Sequence, residues 1–316
     1  QEAFRAEGLK VGLYYSLIDW HHPAYPAYGD RHHPMRNNPD YAQRDPFENY
    51  IAYMHGQVEE LCTRYGQLGL LWFDFSYDDM TGEKWQATKL VNMVRSYQKN
   101  ILIDNRLEAG KSSLLSGKPN IYSGDFVSPE QIIPPEGIKD ANGNPVPWEA
   151  CITLNDHWGY CSSDFNYKSS EMVVRKLIEC VSKGGNLLLN VGPDAKGVIP
   201  RESVEILAQV GDWMEQNGES IVGCGYAGLD KPEWGRYTRN GNCIYAHVID
   251  QPIGYLSLPG IPAEKVKSIR LLRDGSELHI IRDWITESYP DLTFTSIAPL
   301  CKYDKTATVV KIVLKD

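Results

Sequence analysis

Six consecutive residues, Leu70-Leu71-Trp72-Phe73-Asp74-Phe75, place the tightest constraint on this chain. The run is too short for a helix and too apolar for a surface segment, so it reads as a strand covered on both faces. Such strands belong to parallel sheets with helical crossovers, where functional side chains gather at the carboxyl ends of the strands. Asp74 stands at that end, flanked by Trp72, Phe73 and Phe75. A carboxylate pressed against aromatic rings is costly unless it is paired or used. Position alone balances two readings, a loop cap after a buried strand and a reactive acid.

The neighbouring segments alternate between extended and helical patterns. A strand over 10–15 is followed by a loop over 17–45 rich in His, Pro and Tyr, including His21-His22 and His32-His33. Loops of that length are usually functional or disordered. Asp45 offers an N-cap with Pro46 at the first helical position, Ile51, Met54, Val58, Leu61 and Tyr65 keep helical spacing, and Gly66 ends the helix. Beyond the Asp74 strand come a helix through Trp85, Val91, Val94 and Tyr97, a short strand over 101–103, and a Gly- and Pro-rich stretch over 108–147. A strand over 148–154, a helix opened by Ser169 and Ser170, a strand over 186–191 and a helix over about 201–217 complete the alternation. From about residue 224 short β-type runs take over, a module of about 90 residues.

Alternation of this kind predicts an α/β fold, a (β/α)8-type (TIM-like) barrel over residues 1–223, followed by a C-terminal all-β sandwich over residues 224–316. Five strands are clear, over 10–15, 68–73, 101–103, 148–154 and 186–191, whereas a closed barrel of this type has eight. The expectation is therefore an incomplete barrel lacking its first strands. An upstream segment or a second copy would complete the barrel or the site, the latter as a homo-oligomer, since open sheet edges invite pairing.

Composition narrows the function. A net charge of −9 with no basic stripe argues against nucleic acid as a partner, and no apolar run reaches the length of a membrane span. The seven cysteines are scattered without a Cys-x-x-Cys pair, which argues against zinc, thioredoxin-like chemistry and a disulfide framework and leaves the compartment open. His32-His33 and Asp78-Asp79 read as loop residues, because no third ligand stands at useful spacing; no metal and no cofactor are expected. The segment from Asn186 to Gly192 lacks the Lys-Ser/Thr ending of a phosphate loop and reads as strand and turn.

Four strand ends then carry candidates, Tyr14-Tyr15, Asp74, Arg106 and Trp158, and the intervening loop adds Glu130. Two carboxylates, an aromatic wall and one cation suit glycoside hydrolysis, in which one acid meets the anomeric carbon and the other protonates the leaving oxygen. Aromatic faces pack on the C–H side of a sugar while polar groups read its hydroxyls.

At these residues the chain resembles the retaining α-L-fucosidases of glycoside hydrolase family 29. The matching segments are Gly8-Leu-Lys-Val-Gly-Leu-Tyr-Tyr-Ser-Leu-Ile-Asp-Trp-His-His-Pro23, Leu71-Trp-Phe-Asp74, Asn105-Arg106, Gly124-Asp-Phe-Val-Ser-Pro-Glu-Gln131, Trp148-Glu-Ala-Cys-Ile-Thr153 with Trp158-Gly-Tyr160, and Val181-Ser-Lys-Gly-Gly-Asn-Leu-Leu-Leu-Asn-Val-Gly-Pro193. They run in the family's order over residues 8 to about 222. The resemblance implies a retaining exo-α-L-fucosidase with Asp74 as nucleophile and Glu130 as acid/base. It places Tyr15, Trp72, Arg106 and Trp158 along the fucose pocket, with Trp20 and His21 at the rim. Fucosylated oligosaccharides or glycoconjugates are the implied substrates, and the setting stays open between periplasmic or secreted and cytoplasmic. The chain begins after the family's early histidines, so His21-His22 and His32-His33 are not those residues. Two alternatives stay open: a catalytically impaired fucoside-binding relic, and a retaining barrel glycosidase for another sugar.

Overall fold

Strands β1 (Gly12–Ser16), β2 (Leu70–Asp74) and β3 (Leu102–Ile103) pair in parallel in that order, with Tyr14 opposite Trp72 and Ser16 opposite Asp74. Parallel pairing is what helical crossovers impose. These strands belong to the first of two units in the computed structural model, which describes residues 1–26, 31–38, 45–108, 112–298 and 302–315. The first unit comprises residues 1–128 and 138–148, the second residues 129–137 and 149–316.

In the first unit, helices α1 (Glu2–Ala6), α2 (Phe47–Arg64) and α3 (Ala87–Tyr97) accompany the sheet. Helix α2 starts one residue later than the sequence pattern suggests, with Pro46 rather than Asp45 at the cap position. Proline has no N–H to leave unsatisfied there, and its fixed φ suits helix entry. The apolar stripes of α2 (Tyr50, Ile51, Met54, Val58) and α3 (Leu90, Val91, Val94) share one core with Leu71, Phe73 and Ile103 of the sheet. Leu13 and Tyr15 pack against that core. Because side chains alternate along a strand, Tyr14, Trp72 and Asp74 are left on the opposite face. Beyond β3 the chain doubles back beside it: Asp125 N–H donates to Ile103 O (2.7 Å), and Phe126 bridges Asp104 in parallel. A Cβ on Gly124, which has φ +80°, would come within 2.2 Å of Asp104 O, so only glycine permits this approach.

In the second unit β4 (Glu149–Thr153) pairs in parallel with β5 (Asn186–Asn190), and helices α4 (Ser170–Ser182) and α5 (Arg201–Asn217) follow the two strands. Ser169 Oγ accepts the Met172 N–H (3.2 Å), the side-chain cap its position in the sequence suggests. Antiparallel strands β6 (Gly225–Tyr226), β7 (Gly235–Asn240), β8 (Cys243–Val248), β10 (Val266–Leu271) and β12 (Thr308–Leu314) form one sheet in the order β10-β12-β8-β7-β6. Strands β9 (Leu256–Pro259) and β11 (Leu292–Thr295) form a second, two-stranded layer. Alternate residues of β8 divide the packing: Ile244, Ala246 and Val248 meet Leu256 and Leu258 of β9, while Tyr245 joins Ile178 of α4 and Trp213 of α5.

Among the described residues the parallel strands form one three-stranded and one two-stranded sheet and do not close into a barrel. The β module is a lopsided layer of five strands on two, because one face of its large sheet is covered by α4 and α5. The six described cysteines are free, and Cys301 lies outside the described residues. No helix among the described residues is long and apolar enough to cross a membrane.

Candidate active site

In the first unit the side chains converge on the Asp74 carboxylate. Oδ1 accepts from Arg106 Nη1 (3.0 Å) and from the Phe75 N–H (2.9 Å), and Oδ2 accepts from Tyr14 Oη (2.9 Å). Phe75 adopts φ +73°, a left-handed conformation that is costly for a bulky residue and turns its N–H back onto the carboxylate. The Arg106 guanidinium lies 4.5 Å over the Trp72 ring, and its Nη2 donates to Ser128 O (3.2 Å). Tyr14 stacks on Trp72 with ring centroids 5.8 Å apart. Asp74 and Arg106 side chains are each 19% exposed, enough for a small ligand to reach yet dry enough to strengthen their pairing. The Trp72 indole N–H is buried with no partner among the described residues.

Behind this face Asp104, at the end of β3, is fully buried, and its Oδ1 accepts the Phe73 N–H (2.9 Å). Burial pushes its carboxyl well above the usual carboxylate range, and the Asp74 charge pushes the same way; the Phe73 and Arg106 N–H groups and the Arg106 charge oppose them.

Tyr15, expected along the pocket, lies on the helix-covered face: its hydroxyl donates to Gln57 Oε1 (2.7 Å), its ring meets Phe73, and burial pushes its phenol up. Tyr14 is the tyrosine beside Asp74. Further along the loop, Trp20 rests against His33 with centroids 6.0 Å apart, and the His21 N–H donates to Asp19 Oδ1. The same loop is tied down by Arg31, which pairs with Asp78 (3.4 Å) and lies over Tyr77.

The second unit carries Glu130 and Trp158. Glu130 is exposed on a short segment bound alongside β4, where Cys151 N–H donates to Pro129 O (3.0 Å) and Gln131 N–H to Cys151 O (2.9 Å). Gln131 adopts φ +56°, and its Nε2 donates to Thr153 Oγ1 (3.0 Å). Each expected catalytic acid is thus followed by a non-glycine residue in the left-handed region. Lys183 Nζ anchors the far part of this segment by donating to Pro134 O (2.6 Å) and Glu179 Oε1 (2.7 Å). Burial alone would raise Glu179, but the Lys183 and Lys176 ammonium groups hold it down at about 2. Trp158 is 41% exposed in the loop after β4, a loop that passes so near Gly192 that a Cβ there would meet Gly159 C at 2.7 Å. His157 Nδ1 bonds Asp164 Oδ2 (2.7 Å), which pulls the imidazole up. Among the described residues no cluster of three His, Cys, Asp or Glu side chains could hold a metal ion.

Sequence reasoning missed Asp104, whose burial no local signal shows, and Lys183, which acts through a residue nearly fifty positions away.

A family model described as alpha-L-fucosidase matches residues 1–219. The chain is 26% identical over 256 residues to an alpha-L-fucosidase of Dictyostelium discoideum, covering 78% of this chain and 50% of that protein. It is 29% identical over 219 residues to the plasma alpha-L-fucosidase of Rattus norvegicus, covering 67% and 42%. The chain thus spans about half the length of the curated relatives it matches, or less. Among solved structures it resembles alpha-L-fucosidase isoenzyme 1 from Paenibacillus thiaminolyticus, with a TM-score of 0.94, 57% identity, and coverage of 100% of this chain and 74% of that one. It also resembles an alpha-L-fucosidase from Bacteroides thetaiotaomicron trapped as a covalent intermediate with 2-fluoro-fucosyl fluoride, with a TM-score of 0.81, 26% identity, and coverage of 100% and 70%.

Proposed function

The chain belongs to the alpha-L-fucosidase family, and from that premise we propose that it hydrolyses terminal α-L-fucosides of oligosaccharides or glycoconjugates with retention of configuration. The observation that carries the reading is the Asp74 carboxylate, held at three points at the end of β2. Such a group is aimed without being free to rotate, which is what in-line attack on an anomeric carbon needs. Asp74 attacks C1 of the fucoside and the C1–O bond breaks through an oxocarbenium-like transition state. Glu130 gives its proton to the departing oxygen, then takes one from the water that opens the fucosyl-enzyme. Trp72 is the aromatic wall behind the carboxylate, with Tyr14 stacked on it and Arg106 over its ring. Trp158 supplies a second aromatic surface.

The same reading treats residues 1–223 as the catalytic part, related to the (β/α)8 barrel, and residues 224–316 as the sandwich-like module. Likeness to a protein trapped as a covalent intermediate supports a covalent route. Incubation with 2-fluoro-fucosyl fluoride followed by peptide mass analysis is expected to find one fucosyl adduct, on the peptide containing Asp74. Asp74→Ala should abolish turnover of an aryl α-L-fucoside, with azide restoring product formation. Near wild-type turnover in that variant would refute the assignment, and preference for another sugar in a panel of aryl glycosides would refute the substrate.

A further inference from the structure

We infer that Asp104 works as a neutral carboxylic acid beneath the Asp74–Arg106 pair, a positioning residue that ties the end of β2 to the end of β3. The proposal rests on the reading of Asp74 as nucleophile and extends it to a residue that does not touch substrate.

Three observations carry it. First, the carboxyl group reaches across from the end of β3 to the backbone of β2. Its Oδ1 accepts the N–H of Phe73, the residue before Asp74 (2.9 Å), and Asp104 itself stands two residues before Arg106. The ends of β2 and β3 are therefore bound through a side chain at the point where regular pairing, last seen at Leu71 opposite Ile103, has stopped. Second, the group is fully buried, and its Oδ2 has no hydrogen-bond partner and no ion pair among the described residues. An ionised carboxylate left in that state would be far more costly than a neutral acid. Third, the charges that face it pull in opposite directions, Arg106 toward ionisation and Asp74 against it, and burial outweighs both. The Arg106 guanidinium is engaged by Asp74 Oδ1, Ser128 O and the Trp72 ring, while Asp74 itself is the nearby like charge. On the other flank of β3, Asp125 spends its carboxylate on Arg95 (2.9 Å) and on the Ile103 N–H (2.8 Å).

A neutral Asp104 does not compete with Asp74 for Arg106. An ionised one would draw the guanidinium inward and unfasten the nucleophile. Neutral carboxylic acids held in apolar sites serve as fixed hydrogen-bonding groups in other enzymes.

The test compares Asp104→Asn and Asp104→Ala in the whole chain. Asparagine keeps the acceptor oxygen and cannot ionise, so its kcat on an aryl α-L-fucoside should stay within about threefold of wild type. Alanine orphans the Phe73 N–H and unties β2 from β3, and kcat per folded molecule should fall at least about tenfold with KM changed less, a split that loss of stability alone does not produce. Equal losses of kcat in both variants would overturn the proposal, because they would require a charge at this position.

A second readout needs no activity. If Asp104 stays protonated when folded and ionises when unfolded, raising the pH above the free carboxyl range lowers the folded-to-unfolded ratio of wild type relative to Asp104→Asn, by up to about tenfold per unit. A ratio independent of pH between 4 and 7 would overturn the proposal even if the alanine variant failed to fold. If Asp74→Ala remained active while this slope appeared, the catalytic reading would fall and the neutral state of Asp104 would stand.

Discussion

Lowering the pH should loosen the second unit through one residue, His247 in β8. The side chain is fully buried; its Nε2 lies 2.9 Å from Thr238 Oγ1, and the ring packs near Trp213. Thr238 gives its own proton to Ser220 O (2.7 Å), so it accepts from His247, which places the hydrogen on Nε2. Nδ1 then points into the core with no partner among the described residues. Adding a proton there would create a buried, unpaired cation, and burial accordingly pushes His247 down from 6.5 to about 3. The unfolded chain binds this proton near pH 6.5, but the folded chain holds out until about 3. Between those values the unfolded state carries more protons, so stability falls as the pH falls, by about 1.4 kcal/mol per unit. Across that window the loss approaches about 5 kcal/mol, a large part of the stability of an ordinary domain. Urea unfolding followed by tryptophan fluorescence from pH 7 to pH 4 measures it, with His247→Gln as the reference that keeps a donor and does not titrate. The wild-type curve should drop more steeply than that of the variant, and other titrating groups cancel in the difference. Parallel curves would refute the reasoning, because they would mean that His247 takes up its proton in the folded state as readily as in the unfolded one.

Two further substitutions probe the acids. Arg106→Met removes a charged hydrogen bond to a part-buried carboxylate and a stack on Trp72, and should cost about 2–3 kcal/mol in urea unfolding. Its kcat/KM on an aryl α-L-fucoside should fall by about a hundredfold or more, and an unchanged value would remove Arg106 from the site. Lys183→Met frees Pro134 O and one partner of Glu179, which loosens the segment carrying Glu130. Hydrolysis should slow more for fucosides with poor leaving groups than for those with good ones, since only the former depend on protonation; equal slowing would separate Lys183 from Glu130.

The element order was legible because each segment carries its own local rule. The apolar run at β2, the cap at Ser169, the helical spacing of α2 and the left-handed glycine after it each act over a few residues. Asp74 and Arg106 were legible for the same reason, as polar residues at or shortly after the ends of strands. The choice between Tyr14 and Tyr15 was not. Both sit in β1, and alternation states only that they face opposite ways.

Sequence alone determined that Asp74 ends a buried strand, that parallel strands lead and antiparallel ones follow, and which family's motifs the chain carries. Tertiary structure decided which tyrosine meets Asp74, that Asp104 is sealed beneath it, and that Lys183 braces the segment of Glu130. The physical reason is range. Propensity, capping and periodicity act between near neighbours, but burial and charge pairing depend on helices such as α2 and α3 closing over one face of a sheet, and no short stretch of chain records that event.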